Sequence, residues 1–201
     1  MRGNIKVGRW LPFRARQVLN PHRGFVWAAR AAGVIAGSDP YLDGAGGMDW
    51  KLAGLLTVAH AQGEDVSRSA AGRAGAEAIW LPTALLRRFG VRWSAGPADR
   101  VTASFRVGDT PVELRLRLAA AGRIASLVFD RWGDPDNRGA FAEHRFGGEI
   151  SGYRSFHGLT IPSEGRLGWF YGSDRWQAGE FFRFRITDLQ LVTGPVPQPG
   201  R

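Results

Sequence analysis

The sequence predicts a mainly β protein: a strongly curved antiparallel sheet or open half-barrel of about ten strands, with a helical lid inserted mid-chain. Three observations carry that expectation. Apolar and polar residues alternate with period two along most of the chain. Only Asp65–Phe89 shows helical spacing instead. Short turns rich in Gly, Pro and Asp separate the strand candidates, without the long crossovers that parallel strands need. Sheets of this strand count usually curl or close, and a helix with no helical partner must lie against one of their faces.

In chain order, Gly3–Val7 and Arg9–Val18 read as a hairpin, with Phe13, Ala15 and Gln17 on one face and Arg14 and Arg16 on the other. The run Asn20-Pro21-His22-Arg23-Gly24 is turn chemistry, after which Phe25, Trp27, Ala29 and Ala31 share a face. Ser38–Gly47 reads as a turn containing Tyr41, and Met48–His60 as one long strand. Leu55 falls out of phase with Leu52, Leu56 and Val58, which suggests apolar surface on both sides of that strand.

Asp65 and Ser67 are N-cap candidates, since their side-chain oxygens can accept from the free N–H groups of a first helical turn. Ala70, Ala74, Ala78 and Leu81 form a narrow stripe of small residues suited to close approach. Pro82 suits the first turn of a new helix, which predicts Ser67–Trp80 and Pro82–Arg88 with a bend between them and Gly90 as the C-terminal cap. Glu77 lies within the stripe. It either pairs with Arg73 one turn back in solvent, or is held against the sheet, where it needs a partner.

Beyond the helical stretch, Val101, Ala103, Phe105 and Val107 alternate, Gly108-Asp109 turns, and Val112, Leu114, Leu116 and Leu118 alternate again. Ile124–Trp132, Glu143–Ile150, Gly152–Leu159, Gly165–Tyr171 and Glu180–Val192 complete the strands. Residues 1–193 form a single expected domain, and the proline-rich 194–201 is an expected disordered tail.

The 201 residues suit one sizeable core, and no run approaches the length of a membrane span. Without cysteine there are no disulfides, no thiol catalysis and no thiolate metal site. The start lacks a signal peptide, which predicts a cytoplasmic location, although strand-like sequence begins so early that an upstream segment is expected to be missing. A net charge of +9 invites an anionic partner. Lys6 and Lys51 are the only lysines among the 27 basic residues, and the arginines alternate along strands instead of forming blocks. This patterning predicts no nucleic acid partner and is compatible with contact at a membrane surface.

Catalytic and metal motifs are weak. The four histidines stand far apart, and Asp134, Asp136 and Asn137 read as a solvated turn because the glycine and distal glutamate of a calcium loop are missing. No GxSxG or SxxK motif occurs, and no glycine-rich loop links a strand to a helix. The expectation is no metal, no cofactor and no catalytic residue, with enzymatic activity disfavoured but left open to a hydrolase. The eight tryptophans stand out. They either fill the core of a large sheet or line a cavity for an apolar or lipid-like ligand. On the second reading Trp27, Trp50, Glu77, Trp80, Arg131 and Trp169 are the binding residues, with Trp80 in the lid and Arg131 as partner to Glu77 if either is buried.

The runs GRWLPFRARQ (8–17), GFVWAAR (24–30), DPYLDGAGGMDWKLAGL (39–55), EAIWLP (77–82), FHGLTIPSEGRLGW (156–169) and FFRFRITDL (181–189) together resemble a family of prokaryotic proteins known only as a domain of unknown function. That resemblance implies no activity and no site residues. The order of strands and helices is similar to the open half-barrels of periplasmic lipoprotein carriers, which implies an apolar ligand in the concave face. The alternative is a structural or protein-partner domain whose core is filled by its own side chains. A hydrolase would need a polar cluster with perturbed protonation inside the cavity.

Overall fold

The computed structural model describes residues 1–20 and 23–192. The period-two segments resolve into thirteen strands, more than the ten expected, because several hairpins turn tightly enough to hide inside a single apolar run. They are β1 (Arg2–Val7), β2 (Arg9–Asn20), β3 (Gly24–Ala31), β4 (Ile35–Leu42), β5 (Ala45–Leu52) and β6 (Leu56–Gln62) before the helix. After it come β7 (Arg92–Ala95), β8 (Arg100–Val107), β9 (Thr110–Leu118), β10 (Ile124–Gly133), β11 (Ala142–Phe156), β12 (Leu159–Trp169) and β13 (Glu180–Arg185). A four-residue helix, Trp176–Gly179, precedes the last strand.

The faces follow the alternation. In β2 Phe13 and Ala15 are buried while Arg14 and Arg16 are exposed, and Phe25, Trp27, Ala29 and Ala31 of β3 all face the core. Several segmentations differ: the last strand stops at Arg185 instead of reaching Val192, β12 begins at Leu159 instead of Gly165, and three further segments divide otherwise. Met48–His60 is a hairpin, in which Ala53 and Gly54 both take positive φ (51° and 76°) and Leu55 projects from the tip, 90% exposed. Leu55 therefore marks a turn, and its phase says nothing about a second apolar face. Ser38–Gly47 is mostly strand, with only Asp43-Gly44 turning between β4 and β5. Glu143–Leu159 contains one long strand, β11, whose register shifts around Ile150 and Gly152. The Pro21-His22 half of the expected turn and the expected tail lie outside the described residues.

Turns with both central residues at φ > 0 favour Asn-Gly, and alanine pays a steric penalty there that asparagine largely escapes. Ala53→Asn is therefore expected to stabilise the fold by about 0.5–1 kcal/mol. Thermal melts of the variant and the parent chain check this, and an unchanged or lowered midpoint would count against the turn assignment.

All thirteen strands belong to one antiparallel sheet, in the order β6-β5-β4-β3-β2-β1-β13-β12-β11-β10-β9-β8-β7. Because β1 pairs with both β2 and β13, the first and last strands meet at the sheet's centre, with Arg2 opposite Arg185. The free edges are β6 and β7, and the barrel stays open between them. The helical segment is the link from one edge to the other, so it has to cross the trough.

That link begins with α1 (Glu64–Ala76), shorter than the expected Ser67–Trp80 at its C-terminal end. Three 3₁₀ turns follow in place of a second helix: Glu77–Trp80, Pro82–Leu85 and Arg87–Phe89. Pro82 does open one of these turns, and Gly90 closes the last in the left-handed region (φ 82°). Neither expected cap holds. Gly63 occupies the N-cap position. Asp65 accepts from the indole of Trp132 at 2.8 Å, and Ser67 Oγ accepts from the backbone N–H of Gly46 at 2.9 Å. Both side chains tie the helix to the sheet.

The buried arc of α1 is Ala71, Gly72, Ala74, Gly75 and Ala76. Its glycines mark how close the helix lies. A Cβ on Gly72 would stand 3.3 Å from the Phe129 ring, and one on Gly75 would stand 2.8 Å from Val112. On either side of the helix the core divides in two. One cluster gathers Phe13, Phe25, Trp27 and Tyr41 from the first strands; the other gathers Leu114, Leu127, Phe129, Phe146, Ile161 and Phe184 from the last. Met1, Val107 and Phe182 touch both clusters.

Candidate functional site

Charge is buried where α1 meets its first 3₁₀ turn. Glu77 is 7% exposed, so a bare carboxylate there would be costly. Arg73, one turn earlier, donates from Nε to Glu77 Oε1 at 2.7 Å and from a terminal nitrogen to Asp39 Oδ2 of β4 at 3.1 Å. Gln17 of β2 donates from Nε2 to the other Glu77 oxygen. The Trp50 indole donates to Asp39 Oδ1 at 2.8 Å. Arg73 also lies over the rings of Phe25 and Trp27, 4.4 and 5.1 Å from their centroids. Burial opposes the Arg73 charge, but Glu77 and Asp39 outweigh it and hold the guanidinium above its ordinary range.

The two sequence readings of Glu77 thus combine. Its partner is Arg73, as in the exposed-pair reading, yet the carboxylate is held against the sheet. Arg131 does not take the partner role. It donates from Nε to the Ser69 carbonyl at 3.2 Å and lies over Phe146 and Trp169, 4.8 and 5.1 Å from their centroids. Burial, with repulsion from Arg73 added, pushes Arg131 down to about 9 against the pull of Glu77 and Asp39.

Arg131 is a cation without a contacting carboxylate among the described residues, so replacing it with an apolar side chain of similar length should relieve a cost. Arg131→Met is expected to raise stability at neutral pH by about 1 kcal/mol or more. The pH dependence fixes the sign. With Arg131 held below its unfolded range, the unfolded chain binds more protons above about pH 9, and stability rises with pH in that window. Below it both states are charged and the cost is constant. The advantage of the Met variant should therefore be full at neutral pH and shrink above about 9. Urea unfolding across that range checks it, and an advantage that does not shrink would remove the argument.

Of the six residues expected to bind a ligand, Trp27, Trp50 and Glu77 meet around Arg73, while Arg131 and Trp169 form a neighbouring pair. Trp80 packs edge-on to Phe184 at 5.5 Å between centroids. Sequence reasoning passed over Gln17 and Asp39. Gln17 did leave a signal, as the polar member of the otherwise apolar face of β2. Asp39 left none, because its segment reads as a turn. Three buried atoms in this region have no hydrogen-bond partner among the described residues: Gln17 Oε1, Trp27 Nε1 and Trp80 Nε1. Among the described residues no three His, Asp or Glu side chains gather as a metal site, and no helix is long and apolar enough to cross a membrane. In the 133–140 loop, Asp134 accepts from the backbone N–H groups of Arg138 and Gly139. Those bonds hold its carboxyl below the usual range.

Fold and site together define a class: an open antiparallel half-barrel with its own helix seated in the trough over a buried charge network. The chain belongs to a family of unknown function (DUF6544), whose model matches residues 1–181. Neither a curated protein nor a solved structure matches the chain.

Proposed function

We propose that the chain is a non-catalytic binding domain whose interior is its own and which meets a protein partner at its surface. The occupancy of the trough carries this reading: α1 lies within contact of β5, β9 and β10 through glycine and alanine, and Phe25, Phe129 and Leu127 are almost fully enclosed. The Arg73–Asp39–Glu77 network is consumed by internal bonds, which suits a structural role better than acid–base chemistry. At the surface, β6 ends the sheet with Leu56 and Val58 exposed, beside exposed Leu52 and the Leu55 tip. An unpaired strand edge of this kind recognises an extended apolar segment by main-chain hydrogen bonds, with alternate side chains setting specificity.

A second reading keeps an apolar or lipid-like ligand in the concave face. The unpartnered Gln17 Oε1, Trp27 Nε1 and Trp80 Nε1 favour it, as does an α1 whose buried side chains are no larger than alanine and so lose little apolar area if it lifts. Native mass spectrometry of the purified protein separates the two. A bare mass is expected, together with selection of alternating apolar peptides from a random library, lost in Val58→Pro. A co-purifying lipid would move the assignment to the second reading. Failure to enrich any peptide would sink the edge-strand part of the first.

A further inference from the structure

The strands at the sheet's centre carry an arrangement that folding alone disfavours. Across four consecutive strands, arginines stand directly abreast: Arg30 opposite Arg14, Arg14 opposite Arg2, and Arg2 opposite Arg185. Neighbouring strands lie roughly 5 Å apart, so the row spans roughly 14 Å. Like charges directly opposite each other on a sheet repel. Among the described residues one carboxylate answers the row: Glu164 of β12, opposite Arg185, takes its Nε and a terminal nitrogen at 2.9 and 3.1 Å.

The row opens into a groove of about 640 Å³, which Arg183 also lines. Gly3, Asn4 and Pro12 also line it, and the rings of Phe13 and Phe184 belong to the core on the opposite face. Arg183 is bound to Glu180 at 2.5 Å and lies over Trp10, while Arg30 donates to the Gly33 carbonyl at 3.1 Å. Arg2 and Arg14 have no carboxylate or carbonyl partner among the described residues, and both are exposed. Elsewhere on the sheet Arg115 pairs with Asp130 and Arg117 with Asp99, while Arg100 faces Arg117 and Arg166 faces Arg183 as single pairs. Among the described residues the groove alone sets four arginines abreast.

We propose that this groove is a binding site for a polyvalent phosphate anion, with Arg2 and Arg14 as its central ligands and Arg30 and Arg185 at its flanks. Guanidinium groups match phosphate oxygens in forked, charge-assisted pairs, and several in a row favour a multiply charged chain over a single orthophosphate. The site stands apart from the partner-binding edge at β6. It rests on cross-strand register and on the lining of the groove, and not on the trough.

Titration calorimetry with sodium tripolyphosphate at low salt tests it directly. Binding is expected, and Arg2→Gln combined with Arg14→Gln should weaken it at least about tenfold, given the strength of charge-assisted hydrogen bonds. Without the anion the same variant should melt higher than the parent chain, because repulsion in the row is relieved. That readout also certifies its fold. Arg115→Gln with Arg117→Gln removes equal charge outside the groove and should leave binding unchanged. Sedimentation with phosphatidylcholine vesicles, with and without phosphatidic acid, distinguishes the sources. Binding to the acidic vesicles alone assigns the site to a lipid headgroup, and binding to tripolyphosphate assigns it to a free phosphate chain. Binding to neither, or equal weakening by both double variants, overturns the proposal.

Discussion

Glu77→Ala is expected to destabilise the protein by about 3–5 kcal/mol, because it removes the carboxylate that two buried groups depend on. Arg73 would keep only Asp39, its i,i+4 pairing gone, while still enclosed under Phe25 and Trp27. Gln17, whose Oε1 already lacks a partner, would lose its Nε2 contact as well. The loss is that of breaking a buried pair, which exceeds what forming the pair contributes. The distinction supplies its own control: Glu77→Leu combined with Arg73→Met removes both charges at once and should recover much of the lost stability. Urea denaturation with an unchanged slope measures both variants. A loss below about 1 kcal/mol for Glu77→Ala would mean that water reaches the network and that the helix seam is looser than its geometry implies.

The parts of this fold legible in the sequence are those fixed by neighbours a few residues apart. The alternation of Phe13, Ala15 and Gln17 against Arg14 and Arg16 specifies a strand and its faces, and Gly90 ends the helical segment through its own backbone freedom. The short turns without crossovers imply the antiparallel meander that is present. Strand count failed where alanine stands in a left-handed turn position. Ala32 and Ala53 have φ of 48° and 51°, and each precedes a glycine, yet alanine carries no turn signal of its own. The helix start failed for a tertiary reason: Asp65 and Ser67 have cap chemistry, but Trp132 and Gly46 take up their oxygens. In the site, the tryptophans and Glu77 could be named from composition and spacing. Asp39 lies 34 residues from the Arg73 it binds, and only the sheet order brings β4 under the helix. The arginine row was legible as alternation within each strand. That four of them stand abreast is a property of register, which no single strand encodes.

Phe129→Ala is expected to cost about 3–5 kcal/mol, and how much of that range it costs bears on whether the helix can leave its trough. Phe129 is 1% exposed and sits where β10 meets the helix, with its ring under Gly72 and 5.6 Å from that of Phe146. The price of a large-to-small change depends on how far the surroundings collapse into the void. If α1 is locked by the Arg73 network, by Trp132 on Asp65 and by Gly46 on Ser67, it cannot follow the missing ring, and the cost should reach the upper part of the range. A locked helix would also leave a cavity able to take benzene, so saturating benzene should raise the variant's melting temperature. If α1 is instead a lid resting on small side chains, it settles into the gap, the cost falls below about 3 kcal/mol, and benzene has no effect. The first outcome supports a self-filled domain that acts at its surface. The second would show a helix free to move over the trough, which is the motion an apolar ligand beneath it requires.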